Sequence, residues 1–198
     1  MRPVAIIDID TTLANNDHRA VLLERHCLDC GLPVGGEHRP ICKSCGSERS
    51  HTPQHKWDQF LDPKLMALDT PQPHALDVIE SMRSKLWWIV FMTGRNSKHR
   101  PVTEQWLREH MAWRSEKEQL VMRPMENTGT PASQMKEKMF LDFRDQNGLE
   151  NAPFLFFEDD RYVLGTWQKY GMVFLCPQAW EYMNPEVHDR AVEPAWNR

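Results

Sequence analysis

The chain opens on a continuous apolar run that ends in two carboxylates: Val4-Ala5-Ile6-Ile7-Asp8-Ile9-Asp10, followed by Thr11-Thr12-Leu13. Such a run marks a strand buried on both faces of a parallel sheet. Acidic groups at its end are costly unless counter-charge or chemistry offsets them. In open α/β sheets that C-terminal edge is where ligands bind. The first residues therefore predict a catalytic edge, and two carboxylates at this spacing point to phosphoryl chemistry.

The rest of the chain repeats the pattern. Strands are predicted over 3–9, 86–92, 119–122, 154–157 and 172–175. Helices are predicted over 17–26, 54–61, 74–84, 101–111 and 133–143, with one more through Tyr170. Residues 65–73 read as a Pro-punctuated connection, and the polar tail after Pro177 receives no structure. Strands alternating with helices imply a parallel sheet covered on both faces, hence an α/β, three-layer, Rossmann-like domain. No apolar run approaches the roughly 20 residues of a membrane span. The run at 4–7 is too short for a signal peptide and is broken by Asp8. A cytoplasmic location is the default expectation. The net charge of -4 excludes bulk electrostatic attraction to nucleic acid but leaves room for a local basic cleft.

Three predicted strand ends carry polar residues: Asp8 and Asp10, Thr93 and Arg95, and Asp159 and Asp160. Lys136 and Lys138 lie on the helix before the third. Caps and solvated turns explain any one of these alone; their shared edge favours chemistry. A carboxylate attacks phosphorus and splits hydrolysis into two steps, which suits Asp8. Asp10, on the same side of the strand, suits proton transfer. Crowded carboxylates facing a phosphate call for a hard cation. Mg²⁺ suits Asp8, the Asp10 carbonyl and Asp160, with Asp159 beside them. Thr93 suits a hydrogen bond to a phosphoryl oxygen, and a lysine suits charge on the attacked phosphate.

D-x-D-T-T-L at 8–13, T-G-R at 93–95, a helical lysine and E-D-D at 158–160 resemble the haloacid dehalogenase (HAD) superfamily of phosphatases. Within it the chain resembles the phosphatase domain of phage-type polynucleotide kinase-phosphatases. That likeness rests on Phe91–Arg95, Thr103, Trp106, Leu107, Met122-Arg123, Lys136-Glu137, and Asp159-Asp160-Arg161 with Val163 and Trp167. The resemblance favours Lys136 over Lys138. It implies substrate contacts from Arg95 and Arg161, with Arg123 near the cleft and Arg19 reaching in from a cap segment of about 14–62. It also implies host cytoplasm if the chain is phage-encoded. Two departures stand out. Thr11 replaces the glycine of D-x-D-G-T, and the loop before the lysine helix reads Thr130-Pro131-Ala132-Ser133 where relatives carry Arg and Asp.

Cys27-x-x-Cys30-Gly31 and Cys42-x-x-Cys45-Gly46 repeat one knuckle pattern. Two thiolate pairs at this spacing suit one structural, tetrahedral Zn²⁺ within an insertion over 27–46 of a single 1–198 domain. Gly35-Gly36 is expected to reverse the chain between them. His26, His38, His51 and His55 flank the site, and Cys176 is expected to be buried at a strand end.

Three functions follow as expectations. The first is a Mg²⁺-dependent polynucleotide 3′-phosphatase. The second is a nucleoside monophosphate phosphatase with the zinc insert as a lid. The third is a non-catalytic nucleic-acid- or protein-binding module. The pattern G-x-x-x-x-G-K-S/T does not occur, so these residues are not expected to carry a 5′-kinase. No membrane partner is expected.

Overall fold

The computed structural model describes residues 2–34, 41–126 and 129–183. In chain order the elements are β1 (Val4–Ile7), β2 (Ala14–Asn15), α1 (Asp17–Ala20), β3 (Arg25–Cys27), β4 (Pro33–Val34), β5 (Ser50–His51), α2 (Gln54–Phe60), α3 (Pro63–Met66), β6 (Thr70–Pro71), α4 (Ala75–Ser84), β7 (Trp88–Asn96), α5 (Arg100–Met111), β8 (Gln119–Arg123), α6 (Ala132–Gln146), β9 (Phe154–Glu158), α7 (Arg161–Trp167), β10 (Met172–Leu175) and α8 (Gln178–Met183). They form two compact units: Met1–Asn15 with Thr70–Arg198, and Asn16–Asp69.

The first unit is built on a five-stranded sheet in the order β10-β9-β1-β7-β8, with every pairing parallel. The central strand β1 is fully buried because its alternate residues feed two cores. Ala5 and Ile7 pack with α4, α5 and α8 through Val78, Ile79, Trp106, Leu107 and Trp180. Val4 and Ile6 pack on the other face with α6 and α7 through Met135, Phe140, Phe143 and Trp167. Both faces of a parallel sheet are thus covered, which is why its strands read as unbroken apolar runs.

Two features shape the C-terminal edge of the sheet. The ladder between β7 and β8 shifts register between Thr93 and Asn96, so Gly94 and Arg95 fall in a bulge. Bulges re-aim side chains in this way. The second feature is the turn after β1. Thr11 has φ 64, in the left-handed region that a β-branched residue rarely occupies. It is held there by its own N–H donating to Ala14 O at 2.9 Å and by Gln72 Nε2 donating to Thr11 O at 2.9 Å. The short pair β2–β6, antiparallel, marks where the chain leaves and re-enters this unit.

The second unit holds a three-stranded antiparallel sheet, β4-β3-β5, and the short helices α1, α2 and α3. The helix expected over 17–26 is only four residues long, and α3 occupies part of the expected connection. Gly35, Gly36 and His38 lie outside the described residues. Expected as a substrate contact, Arg19 is instead completely buried. Its Nε and Nη2 donate to Asp69 at 2.7 and 2.6 Å, and Nη1 donates to Phe60 O at 3.0 Å. The guanidinium also lies 4.1 Å over the Phe60 ring. The long aliphatic stem and the satisfied fork make Arg19 part of this unit's interior, not of a binding surface.

Removing one partner from such a pair strands a buried charge. Asp69→Ala is therefore expected to cost about 3–5 kcal/mol, read as a lower urea midpoint. The double change Arg19→Met with Asp69→Leu is expected to cost less than Asp69→Ala alone.

Candidate active site

The C-terminal ends of β1 and β9 converge on one lysine. Asp8 leaves β1 with its N–H donating to Phe157 O at 3.0 Å, which ties it to β9. Lys136 stands on the buried face of α6, fixed by Met135, Met139, Phe140 and Phe143 below it. Its Nζ lies 2.7 Å from Asp8 Oδ1 and 2.6 Å from Glu158 Oε2. Asp159 completes the group, accepting from Thr12 Oγ1 at 3.1 Å. Asp8, Glu158 and Asp159 each offer a carboxylate oxygen within 4.8 Å of the others.

One buried ammonium thus bridges two buried carboxylates, with a third, half-buried, beside them. Burial first, then Glu158, pushes Asp8 up to about 7 against the pull of Lys136. Burial and Asp8 raise Asp159 to about 7 as well. Burial also raises Glu158. Desolvation alone would lower Lys136, but Asp8 and Glu158 outweigh it and hold the ammonium charged. Hard oxygen donors with a deficit of positive charge are what a small divalent cation requires. Asp8 and Asp159 are the residues that fit it, since Glu158 is committed to Lys136.

Asp10 is held by Arg95. Nε and Nη2 of Arg95 donate to the two Asp10 oxygens at 2.9 and 2.8 Å, and Arg95 is 1% exposed. The bulge in β7 provides this aim. Thr93 Oγ1 accepts from the Arg95 N–H at 3.1 Å and is completely buried. Arg95, expected to touch substrate, is a clamp on Asp10 in this geometry. His99 sits nearby, its charge disfavoured by burial and by Lys98 and Arg95.

The other expected residues scatter. Asp160, expected to bind Mg²⁺, is turned away: its Oδ1 accepts from Tyr162 N at 2.8 Å and Val163 N at 3.4 Å, capping α7. The orphan N–H groups of a helix start compete for that carboxylate. Arg161 is exposed in the first turn of α7, and Arg123 Nη2 donates to Thr130 O. Lys138 is exposed. Glu158 and Thr12 went unassigned in the sequence. The signal for Glu158 was its place directly after Phe154–Phe157, where an acidic group needs a partner; Thr12 offered none beyond its neighbours.

In the second unit Cys27, Cys30, Cys42 and Cys45 place their sulfurs within 4.8 Å of one another, all as free thiols. Cys27–Cys45 and Cys30–Cys42 are each 3.5 Å apart. A tetrahedron with Zn–S of about 2.3 Å has edges of about 3.8 Å, so the cluster has metal-site dimensions. Gly31 and Gly46, at φ 74 and 73, close the two knuckles by donating to Cys27 O and Cys42 O. Backbone N–H groups of Cys30 and Asp29 lower Cys27 to about 6, and those of Cys45 and Ser44 lower Cys42, while the facing sulfurs raise Cys30 and Cys45. Cys176 is buried after β10, as expected.

No family profile and no curated protein matches the sequence. The fold does match solved structures. A hydrolase of the haloacid dehalogenase-like family from Streptococcus pneumoniae aligns over 86% of this chain and 82% of its own, at 12% identity and TM-score 0.57. CbbY from Rhodobacter sphaeroides, in complex with phosphate, aligns over 88% and 87%, at 16% identity and TM-score 0.51. A chain of a Pnkp1/Rnl/Hen1 RNA repair complex aligns over 88% of this chain at 14% identity and TM-score 0.53. This chain spans only 42% of that one. The fold is haloacid-dehalogenase-like. Among the described residues no helix is long and apolar enough to cross a membrane.

The raised carboxylates set a pH dependence. Between about pH 4 and 7 the folded, metal-free protein holds protons that unfolded Asp, near 3.9, releases. The stability they contribute is complete below about pH 4 and is lost as pH rises through about 7. In chelator, the melting temperature is expected to fall between about pH 4 and 7 and to level off above that. Saturating Mg²⁺ should flatten that fall, as thermal denaturation at a series of pH values would show.

Proposed function

We propose that this chain is a Mg²⁺-dependent phosphomonoesterase working through an aspartyl-phosphate, with the 3′-phosphate of a polynucleotide as substrate. The observation that carries the reading is the Asp8–Lys136–Glu158 cluster with Asp159, buried on the C-terminal edge of a parallel sheet. Lys136 orients Asp8 through Oδ1, leaving Oδ2 to attack phosphorus. As that O–P bond forms, the bond to the leaving oxygen breaks and Asp10 supplies its proton. In the second step water attacks the aspartyl-phosphate, Asp10 takes its proton, and inorganic phosphate leaves with Asp8 restored. Both oxygens of Asp10 are occupied by Arg95, so proton transfer requires the carboxylate to turn off that clamp. Thr93 offers a hydroxyl to a phosphoryl oxygen, and Lys136 offsets charge on the attacked group. Asp8 and Asp159, with the Asp10 carbonyl, would hold a divalent cation, which would supply Lewis-acid stabilisation of the phosphoryl oxygens.

The nucleic-acid assignment is supported by the resemblance in motifs and by the fold shared with a chain of an RNA repair complex. Arg161 is the exposed cation beside the edge. The net charge of -4 favours free nucleotides as the second reading. Cysteines gathered as a metal-type cluster, and not paired as disulfides, suit a reducing, cytosolic setting. Asp8→Asn is expected to lower turnover of an aryl phosphate in Mg²⁺ by at least about 10³-fold, as loss of a nucleophile does. Turnover of 3′-phosphorylated oligonucleotides above that of nucleoside monophosphates would select the first reading; the reverse would select the second.

The four cysteines, on the same footing, form a structural zinc site that folds the second unit. Among the described residues the buried apolar cluster around β3 is Cys27, Val34 and Cys42, two of them cysteines of the proposed site. Elemental analysis of protein purified without added metal should find about one zinc per chain. Cys30→Ser should remove it and open residues 25–51 to proteolysis while the first unit stays folded.

A further inference from the structure

The turn that carries Asp10 is braced by side chains bordering a cavity the mechanism does not use. Gln72 Nε2 donates to Thr11 O at 2.9 Å, and Trp180 Nε1 donates to Thr12 O at 2.7 Å. Between these two braces lies an open cavity of about 310 Å³, lined by Gln72, Pro73, His74, Pro177, Gln178 and Glu181, all in the first unit. Its second wall is tied to the same edge: Cys176 N–H donates to Glu158 O at 2.9 Å, which places Pro177 one residue beyond the strand end holding Lys136. The cavity therefore adjoins the catalytic edge through both β1 and β9.

Its chemistry is unlike that of the edge. Among the described residues no lysine or arginine lines it, which disfavours phosphate there. Two proline rings supply flat apolar walls. Gln178 offers an amide donor and acceptor, Gln72 Oε1 an acceptor, and Glu181 a carboxylate that accepts two hydrogen bonds. The volume stands at the lower end of the roughly 300–1,000 Å³ of ligand pockets, enough for one ring system and too little for a base pair. His74 adds one ring nitrogen that donates or accepts with its tautomer, its Nδ1 lying 3.8 Å from Asp77 Oδ2. The three side-chain acceptors, between apolar walls, select a flat heterocycle that presents N–H groups.

We propose that this cavity is the base subsite of the enzyme, taking an unpaired nucleobase that carries an exocyclic amino group, with Glu181 as its acceptor. The inference rests on the phosphatase reading, for the base it seats belongs to the nucleotide whose phosphate meets Asp8. Carboxylates accept from the amino group of cytosine, and one matched contact of this type discriminates by about tenfold or more. Uracil, with a carbonyl in that place, faces Glu181 acceptor to acceptor.

The test is equilibrium binding to the Asp8→Asn protein in Mg²⁺, measured by calorimetry with cytidine 3′-monophosphate, uridine 3′-monophosphate and inorganic phosphate. Cytidine 3′-monophosphate is expected to bind about tenfold tighter than its uridine counterpart. Glu181→Ala should erase that difference. Gln178→Trp, which fills the cavity, should bring both nucleotides down to the affinity of inorganic phosphate. Equal binding of the two nucleotides, or a preference that survives both changes, would overturn the subsite. Retained turnover by Asp8→Asn would instead overturn the nucleophile assignment, and the binding comparison reads independently of it. The same series with 3′-phosphorylated trinucleotides ending in C or U tells a polynucleotide end from a free nucleotide: discrimination in both formats supports a base at a chain end, and discrimination in the mononucleotides alone supports a free nucleotide.

Discussion

Lys136 is the interaction on which the catalytic edge depends. Its ammonium is buried between Asp8 and Glu158, with Asp159 close by. Each carboxylate would be expensive alone in this setting. Together with one cation they are still short of neutrality, so protons or a metal must make up the difference. That shortfall is a property of the fold. The parallel register of β1 with β9 sets Ile7 beside Phe157, so the next residues on both strands, Asp8 and Glu158, arrive at the same level. The helix α6 then brings Lys136 over them, because its apolar face is fixed by Met139, Phe140 and Phe143.

The turn after Asp10 shows how strain is absorbed near this edge. Left-handed backbone costs an L-residue roughly 1–2 kcal/mol, and a β-branched side chain more than most. Thr11 accepts that cost under two constraints: its N–H bonds back to Ala14, and Gln72 holds its carbonyl. Trp180, stacked on Phe157 at 4.8 Å between ring centroids, reaches the next carbonyl. The conformation of the turn is thus imposed by packing from α8 and from the chain before α4, not by the local sequence. Strain kept in place by its surroundings is a mark of functional sites.

Much of this was legible in the residues. The five core strands follow from apolar runs, and the acidic and polar groups at their ends located the edge. Lys136 was favoured over Lys138 by the resemblance in motifs alone; its burial on the inner face of α6 is what the structure adds. What the sequence could not show was which carboxylate of a consecutive pair turns inward. Asp159 and Asp160 differ only in phase, and the orphan N–H groups of α7 decided it by capturing Asp160. Arginines misled for a related reason. Arg19 and Arg95 look like surface cations in a string of letters, yet both are buried because a carboxylate from a distant part of the chain, Asp69 or Asp10, answers each fork. Partners separated by 50 and 85 positions leave no local signal. The strands of the second unit, two or three residues long, are below what periodicity detects.

The two anionic clusters stand in opposite relation to their units. Asp8, Glu158 and Asp159 rest on a five-stranded sheet with a large core on each face, so the protein holds them together against their own repulsion. Removing a cation from them shifts protonation and leaves the scaffold. The four cysteines have no comparable support, since the apolar cluster beneath them is three residues and includes two of the ligands. The first unit thus holds its carboxylates together by packing on both faces of a sheet, while the second gathers its four thiols over very little apolar support.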